Sequence, residues 1–152
     1  EASREETRRI DLAELVGEVT SEFELAGHEV TLAAPSAVPF EGRPVALKRA
    51  LRNVVENAVR YGGGARAIIT DTPEAVEIAI EDDGPGLPGD RLEEAFQPFV
   101  RLEPSRSRET GGLGLGLSIA RGIVQSHGGT IALANRECGG LRVEIRLPRP
   151  RV

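Results

Sequence analysis

The residues with chemical potential fall in three short stretches. Gly111-Gly-Leu-Gly-Leu-Gly-Leu-Ser118 alternates glycine with leucine, and Leu117, Ile119, Ala120, Ile123 and Val124 continue at helical spacing. This predicts a loop that becomes a helix. Glycines let a backbone approach a ligand, and the first N–H groups of a helix lack internal partners and sit at its positive end. Such a place suits a phosphate, although a plain loop leading into a helix reads the same way. It is not a P-loop, because Leu117 stands where that motif needs Lys, and no strand precedes it as a dinucleotide fingerprint requires. The run before it, Val100 to Thr110, is charged and broken by Pro104, and reads as a lid. Any phosphate site must therefore be completed from elsewhere.

The second stretch is a helix expected from Pro44, well placed as a first helical residue, to about Tyr61. Leu47, Leu51, Val54 and Ala58 form one face at about 100° per residue. Asn53, Asn57 and Arg60 form another stripe beside it, with Glu56 alongside. Asn is poor inside a helix because its side chain competes with the backbone. The stripe is either a solvated face or a row of amides facing a ligand, and an Asn oxygen can ligate Mg²⁺ when phosphates supply other oxygens. The third stretch, Asp82-Asp-Gly-Pro-Gly86, ends a predicted strand. It is either an acidic turn or a carboxylate held against a pocket. A carboxylate only accepts, which matches the exocyclic amine of adenine, and Gly84 and Gly86 would let the backbone approach a flat base.

The elements that must position these residues follow from periodicity. Asp11 can cap a helix with Glu14 as a capping-box partner; Leu12, Leu15, Val16, Val19, Phe23 and Leu25 give it an apolar side to about Ala26, and Gly27 stops it. Glu29 to Ala33 reads as a strand and Val38 to Glu41 as a short edge strand. Ala65 to Asp71 and Ala75 to Glu81 form a hairpin about Thr72-Pro-Glu74. Arg91 to Ala95 is a short helix, and Phe96-Gln-Pro-Phe-Val-Arg101 opens the lid, with Arg101 either solvated or reaching a phosphate. Leu115 to Ser126 is a helix, and Thr130 to Ala134 and Leu141 to Leu147 are strands. The layout is an α/β sandwich: a mixed, mostly antiparallel sheet with helices on one face.

At 152 residues the chain holds one domain with a core; four Phe and one Tyr leave that core to Leu, Ile, Val and Ala. The net charge of −5 argues against nonspecific nucleic-acid binding. No apolar run has the length of a membrane span and no signal peptide is visible. The chain starts at Glu1 without any Met, and is read as a piece of a longer protein. Cys138 is the single cysteine and lies in a turn; with two His far apart it offers no metal-ligand spacing.

Four stretches stand in a fixed order: Asn53-Val-Val-Glu-Asn-Ala-Val-Arg-Tyr61, Asp82-Asp-Gly-Pro-Gly86, Phe96-Gln-Pro-Phe99 and Gly112-Leu-Gly-Leu-Gly116. Together they resemble the N, G1, F and G2 boxes of the catalytic ATP-binding domain of two-component sensor histidine kinases, within the GHKL or Bergerat-fold ATPases. Gly128-Gly129 resembles a terminal glycine motif. The resemblance spans about Asp11 to Pro148. It implies ATP and Mg²⁺: Asp82 accepts from the adenine amine, Gly84 and Gly86 shape the base pocket, and Asn57 holds Mg²⁺. Asn53 lines the phosphate side, Arg60 stands where relatives often have Lys, and Tyr61 packs beside the nucleotide. Gly112, Gly114 and Gly116, with Leu113 and Leu115 between them, offer N–H groups to the phosphates.

The resemblance also implies what lies outside the chain. The phosphate acceptor would be a His on an upstream helical dimerisation domain, with residues 1–10 as the linker from it and 11–152 as the ATP-binding catalytic domain. His28 and His127 lack that acceptor's helical context and are read as structural. A response regulator is the onward partner, the isolated domain is expected to be monomeric, and the location cytoplasmic, with membrane anchorage of the parent left open. Two departures stand out. Leu141 follows Gly139-Gly140 where many relatives have Thr or Ser near the base, and Asn53 occupies the position of the water-activating Glu of hydrolytic relatives, which favours a kinase. The rival readings are a serine kinase of the anti-sigma type with the same fold, and a degenerate nucleotide-binding module without turnover.

Overall fold

The computed structural model describes residues 5–87, 92–96 and 116–149. The order is β1 (Arg8–Asp11), α1 (Leu12–Leu25), β2 (Glu29–Ala33), β3 (Pro39–Gly42), α2 (Pro44–Gly62), β4 (Gly64–Asp71), β5 (Ala75–Glu81), a 3-10 turn (Glu93–Phe96), α3 (Gly116–Ser126), β6 (Thr130–Asn135) and β7 (Leu141–Pro148). Five strands form one sheet in the order β2-β4-β5-β7-β6. Only β2 and β4 run parallel; the other three pairings are antiparallel. This is the expected sandwich, and the helices lie on the face that carries the large buried aliphatic residues. Ala65, Ala67 and Ile69 of β4, Val76, Ile78 and Ile80 of β5, and Val143, Ile145 and Leu147 of β7 are buried there.

The other face is charged. Glu77 stands opposite Arg146 and Glu81 opposite Arg142 in the β5–β7 register; each pair forms a salt bridge, the cross-strand arrangement that favours opposite charges. The helices complete the core with Leu12, Val16 and Val19 of α1, Leu47, Leu51 and Val54 of α2, and Leu117, Ala120 and Val124 of α3. Each fully buried aliphatic side chain contributes roughly 1.5–3 kcal/mol, so this shared core fixes α2 and α3 against the sheet.

Three expectations change. Leu25 is 88% exposed, so the apolar side of α1 ends at Phe23. The sequence reading leaves residues before Asp11 outside the fold, yet Arg8–Asp11 pair antiparallel with β3, and the carboxylate of Glu5 accepts from the Val45 and Ala46 N–H groups at 2.8 and 3.0 Å. Arg8 and Arg9 are exposed and hide the strand pattern. The segment ending at Ala95 forms a 3-10 turn over Glu93–Phe96; Arg91 lies outside the described residues.

Other expectations hold closely. Asp11 caps α1 by accepting from Ala13 N–H at 3.0 Å, and also binds Val38 N–H at 2.9 Å. These bonds, that to Val38 foremost, lower its pKa. The β4–β5 hairpin closes on Thr72, whose hydroxyl donates to Ala75 O and accepts from Ala75 N–H. Arg149 then ties the far end together, donating to Pro39 O and Thr72 O and pairing with Asp71.

A candidate nucleotide site at the end of the central strand

Asp82 follows the last residue of β5, in the middle of the sheet. The ladder with β7 continues one step beyond Glu81: Asp82 N–H donates to Leu141 O at 3.0 Å. Leu141 N–H returns a bond to Asp82 Oδ1 at 3.2 Å, and Gly84 N–H donates to the same oxygen at 2.9 Å. Asp82 is one of two buried polar residues among those described, at 7% exposure. Among the described residues its second oxygen, Oδ2, has no hydrogen-bond partner. No buried side-chain oxygen or nitrogen among the described residues lacks a partner, so Oδ2 is accessible beside the cavity that Asp82 lines and is an acceptor open to a ligand.

The cavity beside it has a volume of about 110 Å³ and is lined by Asn57, Tyr61, Asp82, Pro85, Gly86, Leu87 and Leu141. Four predicted residues thus meet: Asn57 and Tyr61 from the half-buried flank of α2, and Asp82 and Gly86 from the loop after β5. Pro85, Leu87 and Leu141 are the additions. The sequence marks Leu141 only as a missing hydroxyl; its backbone holds Asp82 and it lines the cavity. The other glycine of the loop has a different job. A Cβ on Gly84 would stand 2.5 Å from Tyr61 O, so its empty side is filled by the end of α2.

Asn53 lies one turn further down α2, and its Nδ2 donates to Gly116 O at 3.2 Å. That bond brings the start of α3 to the asparagine stripe, a meeting in keeping with what the resemblance implies. Arg60 pairs with Glu56 at 3.0 Å, one helical turn away. Such an exposed pair is worth only a few tenths of a kcal/mol and leaves Arg60 free to change partners. Arg101, Gly112, Leu113, Gly114 and Leu115 lie outside the described residues. Phe96 is buried and carries the Arg121 guanidinium over its ring, 4.8 Å from the centroid, while Arg121 pairs with Glu93.

A charged cluster backs the loop. Arg66 forms a two-pronged pair with Asp83, both bonds 3.0 Å, and Arg136 reaches Asp83 at 2.8 Å. Arg66, then Arg136, holds the Asp83 carboxyl down to about 2. Arg136 also donates to the main-chain oxygens of Asp82 and Gly139, each at 3.0 Å. No local signal marks Arg136, since its contact with Asp82 spans 54 positions. At the other end of α3, His127 accepts from Arg43 N–H through Nε2 at 3.1 Å, with Nδ1 2.9 Å from Ile123 O. Burial lowers its pKa. It is therefore a neutral link between α3 and the start of α2, in keeping with its reading as a structural residue.

The chain is similar to known proteins over almost its whole length. It is 45% identical over 145 residues to the sensor histidine kinase GtrS of Pseudomonas aeruginosa, covering 95% of this chain and 30% of that protein. It is 36% identical over 138 residues to the sensor histidine kinase CpxA of Escherichia coli, covering 90% of this chain and 30% of the relative. The chain therefore spans about a third of the length of these relatives. The nucleotide-free catalytic domain of the histidine kinase ThkA superposes with a TM-score of 0.82 at 28% identity, covering 95% of this chain and 98% of the other. Residues 42–151 match the family described as histidine kinase-, DNA gyrase B- and HSP90-like ATPase. A shared fold, the sequence match over most of the chain and a strand-end aspartate facing an asparagine-lined helix agree: this chain belongs to that ATPase family.

Proposed function

We propose that this chain is the catalytic module of a sensor histidine kinase, which binds Mg²⁺-ATP and presents its γ-phosphate to a histidine on an upstream dimerisation domain. The segment before β1 would be the linker from that domain, and a response regulator would take the phosphoryl group onward. The observation that carries the reading is Asp82: buried, fixed through Oδ1 by two N–H groups, with Oδ2 left as an acceptor beside a cavity. That is the acceptor an adenine amine requires. The relatives named as sensor histidine kinases support the choice of reaction.

The residues present fit a metal that arrives with the nucleotide. Among those described, no cluster of three His, Cys, Asp or Glu could hold an ion; the neutral oxygen of Asn57 would be one ligand, with phosphate oxygens supplying others. When bound, Mg²⁺ neutralises charge on the phosphates. The chain's own task is to orient: Asp82 fixes the base, Tyr61 and Leu141 enclose it, Asn53 holds the start of α3 close, and Arg60 can exchange Glu56 for a phosphate. Neutral imidazole is already a nucleophile, so transfer to histidine needs no general base from this chain. Asn53, an amide bound to Gly116, is not a water-activating carboxylate.

The test is calorimetric titration of a non-hydrolysable ATP analogue, with and without Mg²⁺. Losing a charge-assisted hydrogen bond costs about 1.5–3 kcal/mol, so Asp82→Asn should weaken binding at least tenfold and by more than Asn53→Asp. Asn57→Ala should remove the Mg²⁺ dependence. Equal losses in the two Asp/Asn variants would overturn the base assignment. Phosphoryl transfer to a supplied dimerisation domain then tests the kinase reading.

A further inference from the structure

We propose that Asn135 is a positioning residue for the nucleotide base, acting as a latch on the Gly86–Leu87 backbone that walls the cavity. The proposal rests on reading that cavity as the adenine site. Asn135 is the last residue of β6, and its side chain meets Leu87 at two points. Oδ1 accepts from Leu87 N–H at 2.9 Å, and Nδ2 donates to Leu87 O at 2.6 Å. A primary amide offers an acceptor and a donor side by side, so this side chain pairs with the N–H and C=O of one residue as a neighbouring strand would.

The Leu87 side chain packs against the core, but the backbone of the loop has little else to fix it. Among the described residues, no other hydrogen bond reaches Pro85, Gly86 or Leu87, while all three line the cavity. The opposite wall, from Asn57 and Tyr61, is a rigid helix. The base would therefore fit between a fixed wall and a wall whose backbone hydrogen bonds come from one side chain 48 residues away. Gly86 is shaped to the latch: its φ is +73°, and a Cβ there would stand 2.5 Å from Asn135 Oδ1. The glycine that sequence reasoning gave to the base thus also makes room for the asparagine.

The side chain is exposed, so replacing it opens no cavity in the core. Two hydrogen bonds of ordinary net strength correspond to roughly a tenfold or greater change in an equilibrium. Titration of wild type, Asn135→Ala and Asn135→Asp with ADP and with a non-hydrolysable ATP analogue reads the effect. Asn135→Ala should lose about tenfold in affinity for both nucleotides alike, because the latch acts at the base end they share. The melting temperature without nucleotide should fall by no more than about 6 °C, the share of two such bonds in a domain of this size, so every variant is folded at the titration temperature. Asn135→Asp keeps the acceptor but sets a carboxylate against Leu87 O, and should do no better than Ala. Faster hydrogen exchange at Leu87 N–H in both variants would report the opened latch independently of any ligand. If Asn135→Ala binds as wild type while Asp82→Asn does not, the latch is overturned and the adenine site stands. If wild type binds neither nucleotide, the adenine reading falls and the base-positioning role with it, even where the exchange at Leu87 changes.

Discussion

Arg136 donates to the main-chain oxygen of Asp82 at 3.0 Å through the same nitrogen that meets the Asp83 carboxylate at 2.8 Å. One guanidinium thus fixes the backbone of the residue assigned to the base and neutralises its neighbour. Its side chain is only 17% exposed, and its Nε lies 3.6 Å from Glu81. Arg136→Leu keeps the bulk and removes every one of these bonds. Asp83 keeps Arg66 and Glu81 keeps Arg142, but leaving the part-buried Asp82 carbonyl without its donor costs about 1–3 kcal/mol, and denaturant unfolding should show a loss of that size. Nucleotide affinity should fall with it, since Asp82 loses its support from behind.

The same cluster sets a pH dependence. Asp83 titrates at about 2 when folded, against roughly 3.9 for an unfolded aspartate. Its folded pKa is depressed, so its contribution is fully present above the unfolded value and is lost as pH falls through about 2. NMR titration should place the Asp83 carboxyl near 2 in wild type. Arg66→Gln, which removes the largest cause, should move it upward; an unchanged midpoint would contradict the pairing.

His127 gives a second dependence at milder pH. Its ring is partly buried, its pKa lies below the ordinary 6.5, and Nε2 must stay unprotonated to accept from Arg43 N–H. The charged groups acting on it are Arg43, which lowers the value, and Glu5, which raises it. Between the folded and unfolded values the unfolded chain binds more protons, so stability falls as pH drops below about 6.5 and on through the folded pKa. Melting should move down between about pH 7.5 and 5.5. His127→Gln should flatten that slope.

Glu5 tests how far the leading segment belongs to the domain. The N-terminus of α2 lacks a side-chain cap from Arg43, and Glu5 supplies the acceptors instead. A capping carboxylate at a helix N-terminus contributes about 0.5–2 kcal/mol. Glu5→Ala should lose stability in that range, whereas Glu6→Ala, at an exposed neighbour, should lose almost none. Equal melting of the two would place Glu5 outside the fold.

The sequence carried what local pattern can carry. Strands Glu29–Ala33 and Ala75–Glu81 alternate and end in turns, and both form within the expected bounds. The α2 stripe was legible because two asparagines one turn apart violate helix propensity beside an apolar face. Asp82 was legible because a strand ends there. What stayed hidden acts across sequence. Arg8–Asp11 become a strand only because β3, some 30 positions on, offers an edge. Asn135 and Arg136 look like polar residues before a glycine turn, and only the β5–β7–β6 order places them against the loop after β5. Leu141 reads as a lost hydroxyl until its backbone is seen to hold Asp82.

Gly62 offers the sharpest separation of stability from binding. It is the last residue of α2, and on helix propensity alone alanine would be up to about 1 kcal/mol better. Its side facing the sheet is occupied, however: a Cβ there would run into Cβ, Cγ and Oδ1 of Asp82. These are not the free end of a mobile chain, since Oδ1 is held by Gly84 and Leu141. Overpacking of this kind costs about 1–3 kcal/mol, so Gly62→Ala should be destabilising on balance. It should also displace the acceptor and weaken ATP-analogue binding more than tenfold, the size of one lost charge-assisted bond. Gly63→Ala is the control. Its φ is +80° with nothing within 4 Å of the new Cβ, so it loses roughly 1–2 kcal/mol to backbone strain while Asp82 stays in place. Calorimetry should find nucleotide affinity near wild type in Gly63→Ala and lost in Gly62→Ala. A parallel loss in both would mean that binding follows overall stability and not the placement of Asp82.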